Sequence, residues 1–141
     1  MPAPTADGLL LVDKPAGLTS HDVVSAVRRS LGGARAGHTG TLDPFATGLL
    51  LVLCGQATRL ARFLPGEPKV YEATIRFGSA TDTDDATGEA GQPAPLPDES
   101  AVREGIARLT GVLRQVPPSY SAKQVGGRRA SAIARRGGDP A

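Results

Sequence analysis

Residues 37–55 read GHTGTLDPFATGLLLVLCG. The stretch changes character at Gly48. Its second half, LLLVLCG, is an apolar run of strand length, and its lack of alternation predicts a strand buried on both faces. Its first half gathers glycines, threonines, a histidine and a single Asp-Pro into one loop. An ordinary turn needs one glycine or one Asp-Pro. The loop therefore asks for a use beyond reversing the chain. Gly37 and Gly40 allow close backbone approach to a ligand, because glycine carries no Cβ and takes positive φ without strain. Asp43, between Leu42 and Pro44, reads on its own as a turn former.

Working outward, GLLLVDKP predicts a short buried strand over Leu9–Asp13, stopped by Lys14-Pro15. LTSHDVVSAVRRSLGG predicts a helix that Thr19 or Ser20 can cap, with Val23, Val24, Val27 and Leu31 on one face and Gly32-Gly33 at its end. ATRLARFL reads as a short helix with Leu60, Phe63 and Leu64 inward. VYEATIRF alternates, with Tyr71, Ala73, Ile75 and Phe77 on one side of an expected strand. GSATDTDDATGEAGQPAPLP is a long polar loop. PDESAVREGIARLTG predicts a helix capped by Asp98, with Val102, Ile106 and Leu109 inward. VLRQV reads as a strand, PPSYSAKQVGG as a turn into a short strand, and RRASAIARRG as a short basic helix or ordered loop. The order of elements gives a mixed α+β fold rather than strict βαβ alternation.

The chain has 141 residues, suited to one domain or part of one, and 40% of them are apolar. Only three Phe, two Tyr and no Trp are present, so the core must come from Leu, Val, Ile and Ala. The single cysteine, Cys54, excludes an intrachain disulfide and a cysteine-based zinc cluster. It sits in an apolar run and reads as a small buried hydrophobe. No basic segment leads into an apolar one at the N-terminus, and no run approaches the length of a membrane span. A cytoplasmic protein is the expectation. Net charge is only +2, but residues 82–104 hold seven acids and one base, whereas residues 105–141 hold seven bases and one acid. The basic end suggests an anionic partner such as nucleic acid; the alternative is a solvated surface.

Common site patterns fail. There is no GxxxxGK[ST] and no GxGxxG. TDTDDATG departs from a calcium loop, because Ala86 and Thr87 stand where a third ligand and a glycine belong. His21 and His38 lack metal-ligand spacing. No metal is expected, and spacing alone ends at an α+β domain with an unusual loop and a basic tail.

Taken together, the segments LLLVDKPAGLTSHDVV, RAGHTGTLDPFATGLLLVLCGQATR, KVYEATIRFGSATDTDDATG and VPPSYSAKQVGGRRASAIARRG resemble, in order and spacing, the N-terminal part of the TruB-type tRNA pseudouridine synthases, relatives of dyskerin. The resemblance runs from about residue 8 to residue 137. It implies the pseudouridine synthase catalytic fold, an α+β fold with a mixed and largely antiparallel sheet and flanking helices. It also implies an isomerase that converts a T-loop uridine of tRNA, position 55, to pseudouridine without a cofactor, acting as a monomer with tRNA as partner. Asp43 matches the family's catalytic aspartate. Tyr71 matches a tyrosine against the target base. His38, with Gly37 and Thr39 beside it, matches the loop that helps take the base out of its stack. Lys14 and Asp85 match supporting positions around the site. Lys123, Arg128 and Arg129 are expected at RNA phosphates.

The chain ends at Ala141, before a KGTYIR-like segment that supplies an arginine partner for the aspartate in the family. Residues 1–141 are therefore expected to be the N-terminal part of the catalytic domain. The remainder of that domain and a C-terminal PUA-type domain are expected to be absent, leaving the catalyst incomplete. The competing reading is a non-catalytic RNA-binding module that uses the glycine loop and the basic end.

Overall fold

A computed structural model describes residues 6–64, 68–115, 124–129 and Ile133. The chain divides into two units, Met1–Glu72 and Ala73–Ala141.

In the first unit, strand β1 (Gly8–Lys14) leads through a turn to helix α1 (Ser20–Ser30). Strand β2 (Ala36–His38), the Asp43 turn and strand β3 (Gly48–Cys54) follow, and a 3-10 helix spans Gly55–Phe63. The sheet order is β1-β3-β2, antiparallel throughout. The central strand is the apolar run. A strand paired on both edges satisfies its backbone through the ladder and leaves only its side chains to bury. Register sets Leu10 opposite Val52 and Val12 opposite Leu50, on one face. That face meets α1. Val23, Val24, Leu50, Val52 and Cys54 form a buried cluster, with Val12, Val27, Leu31, Ala36 and Leu42 packed around it. Each such side chain contributes about 1.5–3 kcal/mol. Burial raises the Cys54 thiol above its ordinary pKa, which keeps it unreactive.

Helix α1 starts where the sequence places its cap. Thr19 accepts from the Asp22 amide, and the Asp22 carboxylate accepts in return from the Thr19 amide at 2.9 Å, completing a capping box. Gly48 follows the Asp43 turn at φ +120°, a value that favours glycine.

The expectation of burial on both faces of β3 needs correction. On the second face Leu49 is 64% exposed and Leu11 of β1 is 67% exposed. The 3-10 helix touches all three strands, and on this face only Leu53 is fully buried, at 1% exposure. The helix expected over residues 57–64 is this 3-10 helix. Its Leu60 and Phe63 point outward, 51% and 67% exposed, with Phe63 under the Arg62 guanidinium.

In the second unit, a bridge between Thr81 and Ala90 closes the acidic loop. Helix α2 (Glu99–Arg108) is capped by Asp98, whose carboxylate accepts from the Ala101 amide at 2.8 Å. Val102 is half-buried, but Ile106 and Leu109 are exposed, so the inward face expected of α2 is only partly covered. Strands β4 (Gln124–Val125) and β5 (Arg128–Arg129) form a hairpin. Its turn residues Gly126 and Gly127 both have positive φ, as the tightest hairpin turns require.

Two expected strands do not form. Residues 68–77 are exposed and carry no strand, although VYEATIRF alternates. Residues 112–115 likewise carry none. Alternation says which side chains would share a sheet face, but it does not supply the neighbouring strand whose backbone completes the ladder. Among the described residues nothing pairs with either run. The architecture is thus mixed helix and sheet, with a small three-stranded antiparallel sheet in the first unit.

Candidate active site

Asp43 stands on a turn whose carbonyl accepts from the Ala46 amide at 3.1 Å, and its side chain faces solvent. The residues on either side of it are tied down. Before it, the Ser20 hydroxyl accepts from the Leu42 amide at 2.9 Å and donates to the Leu42 carbonyl at 3.1 Å. After it, the Pro44 carbonyl accepts from the Gly17 amide at 2.7 Å and from the Lys14 ammonium at 3.3 Å. All three anchors lie in one short segment, the end of β1 through the first residue of α1. Gly17 reaches Pro44 with φ +86°, a left-handed conformation suited to glycine.

Lys14 is fully buried. Its ammonium also donates to the carbonyls of Leu18 at 2.7 Å and Pro15 at 3.0 Å. An ammonium has three hydrogens to donate, and three carbonyls receive them. Backbone dipoles rather than an acid compensate the buried charge. Through the Pro44 carbonyl, Lys14 is bonded to the turn that carries Asp43. Among the described residues, no hydrogen bond or ion pair within the chain engages the Asp43 carboxylate.

Gly37 and His38 are strand residues, and Thr39 follows just past β2. Gly37 pairs opposite Leu53 and His38 opposite Val52, and the Thr39 amide donates to the Leu51 carbonyl at 3.2 Å. The stretch expected as loop from residue 37 thus begins as β2, which fixes His38 to the central strand. His38 is half-buried, and its Nδ1 is buried without a hydrogen-bond partner among the described residues. A ring nitrogen left so is a polar group awaiting a partner. A Cβ added at Gly37 or Gly40 would meet nothing within 4 Å. The fold itself does not require glycine there, and the room it leaves is open to a ligand.

The remaining expected site residues are not gathered at the turn by any bond described. Tyr71 is 69% exposed and belongs to no strand. Asp85 lies in the second unit, inside its own loop. Its carboxylate accepts from the Thr87 hydroxyl at 2.6 Å, the Thr83 hydroxyl at 2.8 Å and the Thr87 amide at 2.8 Å. These bonds, that of the Thr87 side chain first, hold its pKa below the ordinary carboxylate value. Asp82 likewise accepts from the Glu89 amide at 2.8 Å, so both acids organise the loop. Arg128 is exposed on β5, and Arg129 pairs beside Gln124. Lys123 falls outside the described residues. Ser20 was legible only as an alternative cap for α1; its bond to Leu42 spans 22 positions and leaves no local signal.

Comparison with known proteins completes the site's description. The profile of the TruB family pseudouridylate synthase, N-terminal domain, matches residues 28–140. The tRNA pseudouridine synthase B of Thermobifida fusca is 58% identical over 134 residues, which cover 94% of this chain and 46% of that protein. The Leifsonia xyli protein of the same name is 53% identical, covering 92% and 45%. A chain from a solved H/ACA ribonucleoprotein bound to a substrate RNA containing 2'-deoxyuridine is 46% identical over 40% of this chain and 18% of its own, with TM-score 0.39. That overlap is too partial to bear on the fold. The chain spans about half the length of the curated relatives it matches. On the profile and these identities, the chain belongs to the TruB family of pseudouridylate synthases, and its matched region is that family's N-terminal domain.

Proposed function

We propose that this chain is the aspartate-bearing part of a tRNA pseudouridine synthase that isomerises uridine 55 in the T-loop. The observation that carries the reading is the Asp43 turn: an exposed carboxylate on a backbone anchored on both sides, within a family motif. The relatives' name supports tRNA as the substrate class.

In the reaction the N1–C1′ bond of the uridine breaks, the uracil turns, and C5 bonds to C1′. The C5 hydrogen leaves to solvent and N1 gains one, so the balance is that of an isomerisation. A uridine inside a folded loop must first leave its stack, at a cost of a few kcal/mol. His38 and the open space at Gly37 and Gly40 suit that step. His38 is half-buried at the end of β2, and Thr39 follows it on the same anchored backbone. Asp43 then meets the extruded nucleotide as nucleophile or base, roles a carboxylate fills without metal. In a site closed over by RNA it needs a cationic partner to stay charged. On this reading that partner is an arginine from a later segment of a longer chain, and residues 1–141 are the N-terminal part of the catalytic domain. Tyr71 is assigned to the target base, and Lys123, Arg128 and Arg129 to phosphates. Asp85, which organises its own loop, is assigned a supporting position on the same family reading.

The alternative is a module that binds RNA without turning it over. Two measurements separate them: tritium release from C5-labelled uridine in a T-arm RNA, and affinity for the same RNA at two salt concentrations. We expect release once the chain is joined to the C-terminal part of the Thermobifida fusca relative, and affinity that falls as salt rises. Salt-dependent binding by that joined protein with no release would favour the module.

A further inference from the structure

We infer that Ser20 is a positioning residue for Asp43, an inference that rests on the function proposed above. Ser20 is 2% exposed and is the first residue of α1. The capping of that helix is already done by Thr19, whose hydroxyl accepts from the Asp22 amide at 3.1 Å. Ser20 is thus free of the duty its place in the sequence suggests. Its hydroxyl instead engages both polar groups of a single distant residue, the amide and the carbonyl of Leu42. A serine hydroxyl has one hydrogen to donate, and that hydrogen goes to Leu42.

The position of Leu42 gives this bond its meaning. The next residue is Asp43, and on the far side Pro44 is held by Gly17 and Lys14. The Pro44 ring fixes its own φ, so the downstream side has little freedom left. On the upstream side, Ser20 alone makes a polar contact to Leu42 among the described hydrogen bonds. Without it, the Leu42 peptide groups lose both partners, and Asp43 pivots about Pro44. Side chains that must meet a reacting atom are held by neighbours whose own geometry is locked. A displacement of about 1 Å can lower a rate by roughly 100-fold. Ser20→Ala removes one oxygen and no apolar volume, so its effect separates from that of a core substitution.

The experiment compares Ser20→Ala, Ser20→Thr and the core substitution Val24→Ala, each in the 141-residue chain and in that chain joined to the C-terminal part of the Thermobifida fusca relative. In the joined protein, Ser20→Ala should lower kcat by roughly 10- to 100-fold and leave KM for T-arm RNA within about twofold. Ser20→Thr, which keeps the hydroxyl, should recover most of the rate. Val24→Ala should lower the melting temperature without lowering kcat. In the 141-residue chain, Ser20→Ala should speed hydrogen exchange of the Leu42 amide by at least about tenfold, with strand amides at Leu50 and Val52 unchanged. Parental kcat in folded Ser20→Ala would overturn the inference. So would an equal loss of kcat in Val24→Ala. If the unsubstituted joined protein releases no tritium, it is the proposed function that fails. Leu42 exchange then decides the anchoring alone: faster exchange supports it, and unchanged exchange overturns it.

Discussion

Lys14 shows how one side chain serves both stability and site. Its ammonium is buried, and three backbone carbonyls take its hydrogens. Lys14→Met keeps much of the stem and removes the charge. It also leaves the carbonyls of Pro15, Leu18 and Pro44 without that donor. Each buried polar group left unpaired costs about 1–3 kcal/mol, offset in part by the ammonium desolvation that the substitution removes. We expect a net loss of about 2–4 kcal/mol, read as an earlier midpoint in urea unfolding; an unchanged midpoint would mean that the carbonyls find water. Asp43 and His38 stand out in the sequence because they share one motif whose parts lie close along the chain. Ser20 does not, because its partner lies 22 positions away and a hydroxyl before an apolar helix face is expected to cap.

At the scale of elements, α1 and β3 were legible because local signals and tertiary packing agree. The capping box, the valine face and the apolar run all point to the structure observed. Thr19→Ala should destabilise the first unit by about 1 kcal/mol through loss of the cap. It should also alter the acid limb. The Thr19 hydroxyl, and then its amide, hold Asp22 below the ordinary carboxylate pKa. A lowered folded pKa means stability that is fully present above the ordinary carboxylate value and lost as pH falls through the folded one. Thr19→Ala should therefore flatten the decline in melting temperature below about pH 4; an identical acid limb would show that Asp22 is not linked to folding. Gly55, the first residue of the 3-10 helix, has φ +58°, and a Cβ there would collide with the Asp7 side chain. Asp7 itself accepts from the Gln56 amide at 2.7 Å. Gly55→Ala should cost more than the roughly 1–2 kcal/mol of a left-handed alanine, seen as a lower thermal midpoint; a midpoint within a degree of the parent would contradict the collision. VYEATIRF was misread for the converse reason. Its period is that of a strand, but a strand is a relation between two segments, and no described residue supplies the second.

At the scale of the whole molecule, the buried core of the described residues lies in the first unit, and one sheet face there carries exposed leucines. Leu11 and Leu49 lie on that face, Leu11 opposite Leu51 and Leu49 opposite Asp13. Contiguous apolar surface of this kind binds hydrophobic dyes. Leu11→Lys with Leu49→Lys should reduce dye fluorescence several-fold and leave the melting temperature nearly unchanged; a large drop in melting temperature would mean that the face is packed. The chain spans about half of the relatives it matches. On the proposed function, Asp43 performs the chemistry from an anchored turn. The most direct test is tritium release from C5-labelled uridine in T-arm RNA by the chain joined to the C-terminal part of the Thermobifida fusca relative, with Asp43 intact and as Asp43→Asn. The account predicts steady release by the first, none above background by the second, and RNA affinity within about threefold between them. Equal release by both would contradict it.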